Sequence, residues 1–348
     1  MTPEIHIGDC LDVLAELPAG SVQCCVTSPP YFGLRDYGVP PTDWPAIEFA
    51  PMPGLPHVSI PAMSSCLGLE LDPWAFVGHL VEVFRRVRRV LRDDGVAFVN
   101  LGDSYNAAGR IGHGTRIGYK QGTNRASANG SDDSRPSVDG LKPKDLIGIP
   151  WRVAYALQAD GWFLRQDIIW AKPNPMPESV RDRCTKAHEY VFLLSKRERY
   201  FWDAAAVAET GTNRPPGNSR PTKNGSAAAA DQRFRTSAGL HEITAAETRN
   251  RRSVWNIATQ PYSGAHFATF PPALVEPCIL AGSRPGDTVL DPFGGTGTVG
   301  SVAVYHGRES ILIDVNPANE ALMAERLEKH ATPLFDEPAP KAVQEALL

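Results

Sequence analysis

The chain has 348 residues, 42% of them apolar, enough for one large core or for a domain that carries an insertion. A formal charge of −4 gives no global attraction to polyanions, and no run approaches the eighteen uninterrupted apolar residues of a membrane helix. Met1-Thr2-Pro3-Glu4-Ile5 lacks the basic and apolar regions of a signal peptide, and the six cysteines form no C-x-x-C pair or His-rich cluster, so a cytoplasmic protein without disulfides or metal is expected.

Ile5-His6-Ile7 and residues 22–26 read as buried strands, and between them Leu11, Leu14 and Leu17 share one helix face. Prolines crowd 38–61 so densely that no regular element is expected there, only a long loop bordering the substrate, with mobility over 38–70. Asp72 and Pro73 are a cap and first position for a helix whose stripe is Phe76, Val77, Leu80, Val83, Phe84, Val87, Val90 and Leu91, stopped by Gly95. A strand over 96–101, a helix over 150–159 and strands over 162–170 and 190–194 follow. The C-terminal part repeats the alternation: helix 270–280, strand 288–290, helix 296–306, strand 310–313 and helix 317–330, then a frayed Pro-rich tail over 331–348. Such alternation predicts a mostly parallel sheet with helices on both faces.

The local charge differs from the total. Residues 106–144 hold seven basic side chains against three acidic ones, and 211–252 hold eight against three. Both stretches are rich in Gly, Ser, Asn and Ala and lack periodicity, so they read as mobile basic loops suited to phosphates rather than as packed elements.

Two segments carry chemistry, each placed after a strand. Thr27-Ser28-Pro29-Pro30-Tyr31 offers the Ser28 hydroxyl and the Pro29 carbonyl as acceptors for the two hydrogens of an amine, with Pro30 stiffening the turn and Tyr31 supplying a stacking plate. An exocyclic base amine needs such help, because its lone pair is delocalised and the base must leave the duplex to be reached. Asp291-Pro292-Phe293-Gly294-Gly295-Thr296-Gly297-Thr298 is a glycine turn into a helix, suited to a nucleotide-like cofactor. Asp314 closes the next strand, where a carboxylate can take ribose hydroxyls, and Asp9 is a third acidic group at a strand end. No G-K-S/T follows the glycines, which disfavours a triphosphate loop.

These segments, with Gly8-Asp9, Val99-Asn100-Leu101-Gly102-Asp103-Ser104, 176–183, His188-Glu189-Tyr190, 266–276 and Ile313-Asp314, resemble the motif series of the DNA amino-methyltransferases. The catalytic tetrapeptide comes early and the glycine turn late, as in the β group of that family. The resemblance spans about residues 5 to 320. It implies a circularly permuted Rossmann-like α/β domain split into 1–203 and 253–330, around a target-recognition insertion at 204–252. It implies S-adenosyl-L-methionine (AdoMet) as cofactor, held by Asp9, Thr27, Asp291, the turn from Pro292 to Thr298 and Asp314, and enclosed by His266, Phe267, Thr269 and Pro271. The partner implied is double-stranded DNA, contacted by Arg181, Arg183, Lys186, Arg214, Arg220, Lys223, Arg233, Arg235, Arg249, Arg251 and Arg252. Whether a cognate restriction endonuclease accompanies it, and whether it forms a homodimer, stay open, as does the role of 106–144.

Ser28 at the head of the tetrapeptide resembles the N4-cytosine enzymes, whereas N6-adenine enzymes more often carry Asp there. Either group accepts an amine hydrogen, so N6-adenine remains the alternative. A protein or small-amine N-methyltransferase is disfavoured by the basic stretches, and a non-catalytic DNA-binding module by the presence of both sites. Cys278, in a Pro-Cys pair, lies inside an apolar helical pattern and reads as core rather than as a C5-cytosine nucleophile. Ser28 lacks the G-x-S-x-G elbow of an acyl-transfer serine.

Overall fold

The computed structural model describes residues 3–33, 36, 38–106, 138, 140–210, 248–260 and 271–331. Strand β1 (Glu4–Ile7) leads into helix α1 (Cys10–Glu16), capped by the Asp9 carboxylate on the Leu11 amide at 2.8 Å. Strand β2 (Val22–Thr27) is buried throughout. Helix α2 (Pro73–Val90) starts as its sequence dictates, with the Asp72 carboxylate accepting the Trp74 amide at 3.0 Å and proline in the first turn.

Its end differs from expectation. Leu91 has extended backbone and opens strand β7 (Leu91–Leu101), so Gly95 lies inside that strand rather than stopping the helix. A Cβ at Gly95 would sit 3.0 Å from the carbonyl oxygens of Arg92 and Gln23, and this close approach is the reason for glycine there. Then come α3 (Ile149–Ala159), β8 (Phe163–Ala171), β9 (His188–Ser195), β12 (Val254–Asn256), α4 (Pro272–Gly282), β13 (Thr288–Asp291), α5 (Thr298–Tyr305), β14 (Glu309–Asp314) and α6 (Ala318–Ala331).

The proline-rich segment corrects the sequence reading. Strands β3 (Thr42–Trp44) and β6 (Met63–Ser65) pair antiparallel, as do β4 (Ile47–Phe49) and β5 (Val58–Ile60). Three-residue strands are too short for a period-two signal, and the prolines sit between them, where no ladder amide is needed. Trp44, Ile47, Phe49 and Ile60 are buried and join the main core. A Cβ on Gly78 of α2 would meet Phe49 at 3.0 Å and Ile60 at 3.2 Å, so glycine lets these strands reach the helix.

The chain divides into two compact units, Met1–Trp202 with Ser253–Leu348, and Asp203–Arg252. In the second, β10 (Glu209–Thr210) pairs antiparallel with β11 (Thr248–Arg249). In the first, eight strands form one sheet in the order β1-β14-β13-β2-β7-β9-β8-β12. Five neighbour pairs are parallel; only β9 runs against both its neighbours. The sheet is therefore mostly parallel and Rossmann-like, and its apolar strands are covered by helices. Strands β2 and β13 are neighbours although their pairing partners Cys25 and Leu290 are far apart in the chain. Among the described residues no helix is long and apolar enough to cross a membrane.

Candidate active site

Topology gathers the site. Parallel strands present their C-terminal ends along one edge, and ligands of open α/β sheets bind there. Asp9 follows β1, Asp314 ends β14, Asp291 ends β13, Thr27 ends β2 and Asn100 lies near the end of β7. Because β9 is reversed, its first residues, His188 and Glu189, arrive at the same edge, and Lys172 follows the end of β8. The result is one cleft of about 770 Å³ lined by Ser28, Pro29, Pro30 and Tyr31 on one side and by Asp291 to Thr296, Thr298 and Asp314 on the other. Val39, Pro40, Thr42 and Trp44 form a further wall, so the segment expected beside the substrate does border this space. Trp44 is held by stacking on the buried His79 at 4.0 Å, and His79 Nδ1 is 2.6 Å from buried Glu70.

Besides the pairing of β2 with β13, a buried side-chain contact joins the two halves. The Thr27 hydroxyl donates to Asp291 Oδ1 at 2.7 Å, and the Phe293 amide donates to the same oxygen at 3.1 Å. Burial nevertheless pushes the Asp291 carboxyl up to about 7, against the lowering effect of these two donors. Thr27 is itself fully buried and does not line the cleft; its hydroxyl reaches Asp291, which does.

The glycine turn is braced from β14. Asp314 accepts the Gly295 amide at 2.7 Å and the Asn316 amide at 2.8 Å, one on each oxygen. A carboxylate has about four acceptor positions, so two remain for hydroxyls of a ligand. Gly297 caps α5 with φ +75°, and a Cβ there would meet Met323 at 3.1 Å. Gly297 supports the turn from behind; it does not line the cleft. Asp9 lines the cleft, yet both oxygens are engaged, by the Leu11 amide and by the Thr42 hydroxyl at 2.5 Å.

Tyr31 sits in a network whose members Asn100, Gly102 and Glu189 fall in the motif series without a role assigned there, and whose Lys172 the sequence analysis did not single out. Its hydroxyl donates to Glu189 Oε2 at 2.7 Å and receives Asn100 Nδ2 at 2.6 Å, while the same nitrogen reaches Glu189 at 2.9 Å. Lys172 pairs with the other oxygen of Glu189 and lies over the Trp170 ring. One face of Tyr31 rests on Gly102, where any Cβ would overlap the ring. The Ser28 hydroxyl is 3.4 Å from the Tyr31 oxygen and 3.5 Å from the Asn100 carbonyl. Asp103 of the same motif is structural, since it accepts the amides of Ser104, Gly148 and Ile149.

The remaining expected residues are more scattered. Pro271 caps α4 and is not brought to the cleft. His266, Phe267, Thr269, Arg214, Arg220, Lys223, Arg233 and Arg235 lie outside the described residues, as does most of 106–144. Lys186 does line the cleft; burial pulls its ammonium below the usual lysine range, and Nζ donates to the Asp103 carbonyl at 3.1 Å. Arg183 is paired with Glu178 at 2.7 Å and stacked over Tyr105, whereas Arg181 is exposed. Arg249 and Arg252 both pair with Glu209, at 3.3 and 2.9 Å. Cys278 is buried in the core, 1% exposed, which removes it as a C5 nucleophile. No group of three or more His, Cys, Asp or Glu that could hold a metal occurs among the described residues.

Comparison with known proteins gives a consistent result. A family model of the N6/N4 methyltransferase type, described as DNA methylase, matches residues 22–325. The chain is 44% identical to the type II methyltransferase M.Cfr9I of Citrobacter freundii, over 93% of this chain and 87% of that protein. It is 40% identical to the type II methyltransferase M.SmaI of Serratia marcescens, over 93% and 90%. The fold matches that of the PvuII DNA methyltransferase (cytosine-N4-specific) with a TM-score of 0.57 at 20% identity, covering 95% of this chain and 90% of that one. It also matches TTHA0409 of Thermus thermophilus, a candidate DNA modification methylase complexed with S-adenosyl-L-methionine, with a TM-score of 0.54 at 22% identity and 95% coverage of both chains.

Proposed function

We propose, for a chain that belongs to the N6/N4 family of DNA methylases, that it methylates the exocyclic amine of a base turned out of double-stranded DNA, with cytosine N4 as the target and AdoMet as the donor. The observation that carries this reading is the Thr27–Asp291 hydrogen bond, which ties the amine-binding tetrapeptide and the glycine turn to one cleft.

The residues present suit the donor. Gly294 and Gly295 leave the turn without side chains at the cleft, Asp314 keeps acceptor capacity beside it, and Asp291 offers a buried carboxyl that a cation would ionise. When bound, AdoMet supplies an electrophilic methyl group on a sulfonium. The chain supplies the rest. The Pro29 carbonyl and the Ser28 hydroxyl accept the two amine hydrogens, which draws nitrogen toward tetrahedral geometry and frees its lone pair. Tyr31, fixed in orientation by Glu189, Asn100 and Gly102, lines the cleft and supplies a ring on which the base stacks. Lys172 holds Glu189 in place and offsets its charge.

Cytosine is favoured by Ser28, whose place at the head of the tetrapeptide resembles the N4-cytosine enzymes of this family. Digestion of DNA exposed to the protein and AdoMet, with chromatography of the nucleosides, tests both levels. N4-methylcytosine is expected; N6-methyladenine overturns the base assignment, and the absence of any methylated nucleoside overturns the activity.

A further inference from the structure

We propose that Met176 is an apolar wedge that enters the duplex and fills the space left when the target base turns into the cleft; the proposal rests on the DNA-methylating reading above. Residues 172–178 read Lys-Pro-Asn-Pro-Met-Pro-Glu, so prolines alternate at 173, 175 and 177. Each fixes its own φ at about −65° and steers the residue before it toward extended backbone. Both ends of the segment are tied down. Asn174 exchanges two hydrogen bonds with the Thr259 backbone, at 2.9 and 3.1 Å. Glu178 accepts from Arg183 at 2.7 Å and from the Lys186 amide at 3.2 Å.

Between these anchors Met176 lines the cleft yet is 87% exposed, more than any other large apolar side chain among the described residues. A single exposed apolar side chain is ordinary on a protein surface. Position distinguishes this one: a stiffened segment holds it out in water at the mouth of the cleft that contains Ser28 and Tyr31. Turning a base out leaves an orphaned partner and unstacked neighbours, and an apolar side chain placed in the gap restores contact and slows the return. Methionine suits the task, being long, unbranched and polarizable. Exposed Arg181 and the cleft-lining Lys186 supply positive charge for the phosphates beside the gap.

The test uses the full chain. The word it methylates on an unmethylated plasmid is read by sequencing, and two synthetic duplexes carrying that word are made, one fully paired and one with an abasic site opposite the modified base. Met176→Ala is expected to lower the methylation rate on the order of tenfold on the paired duplex and to stay within about twofold of wild type on the abasic duplex, where opening costs less. Met176→Leu, which keeps an apolar side chain, is expected near wild type on both. An undiminished rate for Met176→Ala on paired DNA overturns the wedge. So does an equal loss on both duplexes, which would place Met176 on the base inside the cleft. A wild-type protein that methylates neither plasmid nor duplex overturns the reading above and the wedge with it.

Discussion

Asp291→Asn separates the electrostatics of the glycine turn from its shape. Asparagine keeps the size of the side chain and an Oδ1 that still accepts the Thr27 hydroxyl and the Phe293 amide, but it never ionises. In the wild type burial pushes the carboxyl from 3.8 up to about 7. A carboxyl whose folded value lies above its unfolded value binds its proton more tightly in the folded state, so stability falls as pH rises from about 4 to about 7 and the full cost is present above that window. Roughly three pH units at about 1.4 kcal/mol each give a cost on the order of 4 kcal/mol, an upper figure for a site open to a cleft. Melting curves of both proteins from pH 5 to pH 8 should therefore separate as pH rises, with Asp291→Asn the more stable by several degrees at pH 8. Cofactor affinity should move the other way. A cationic ligand favours ionised Asp291, so wild-type binding should release a proton below pH 7 and tighten as pH rises toward it, whereas the variant should bind more weakly with no pH slope. Calorimetry in buffers of different ionisation enthalpy reads that proton. A stability gap that does not change with pH, together with binding that releases no proton in the wild type, would refute the reasoning.

Tyr31→Ala should lower single-turnover methyl transfer by about one to two orders of magnitude, the worth of roughly 1–3 kcal/mol of base stacking. Tyr31→Phe keeps the plate but leaves Glu189 and Asn100 without the hydroxyl and should cost only about tenfold; a phenylalanine variant worse than the alanine one would show that stacking is not the role. Ser28→Ala should cost on the order of a hundredfold in transfer with AdoMet affinity unchanged, as judged by equilibrium titration. Gly297→Ala, placed at φ +75° against Met323, should lower stability to urea by about 1–2 kcal/mol, and unchanged unfolding would mean that the turn relaxes freely. Neutralising Arg249, Arg251 and Arg252 should flatten the salt dependence of DNA binding by less than the roughly 0.9 per contact of three free arginines, because Glu209 already engages two of them.

Much of the fold is legible because each element's own residues enforce it. Asp72-Pro73 caps α2 as its chemistry requires, and the uninterrupted apolar run of β2 marks a strand covered on both faces. Legibility fails where tertiary contact overrides local pattern. Leu91 continues the apolar stripe of α2, yet it pairs with Val22 as the first residue of β7, so periodicity alone assigns it to the wrong element. Three-residue strands among prolines are equally hidden, and β4 and β5 meet the core through Phe49 and Ile60 at Gly78, in a helix that comes later in the chain.

The site divides along the same line. Ser28, Tyr31, Asp291 and Asp314 can be read from sequence because each follows an apolar run, and the end of a parallel strand is where chemistry collects. Glu189 opens its strand instead, and the same rule passes over it. Strand β9 is reversed, however, and reversal carries the start of a strand to the edge where its neighbours finish. Once β9 is known to be antiparallel, a charged residue at its first turn becomes equivalent to one at the end of β7 or β8. Asn100, Glu189 and Lys172 then belong together for one topological reason, and Tyr31 is held from a strand that no pattern local to the tetrapeptide could have named.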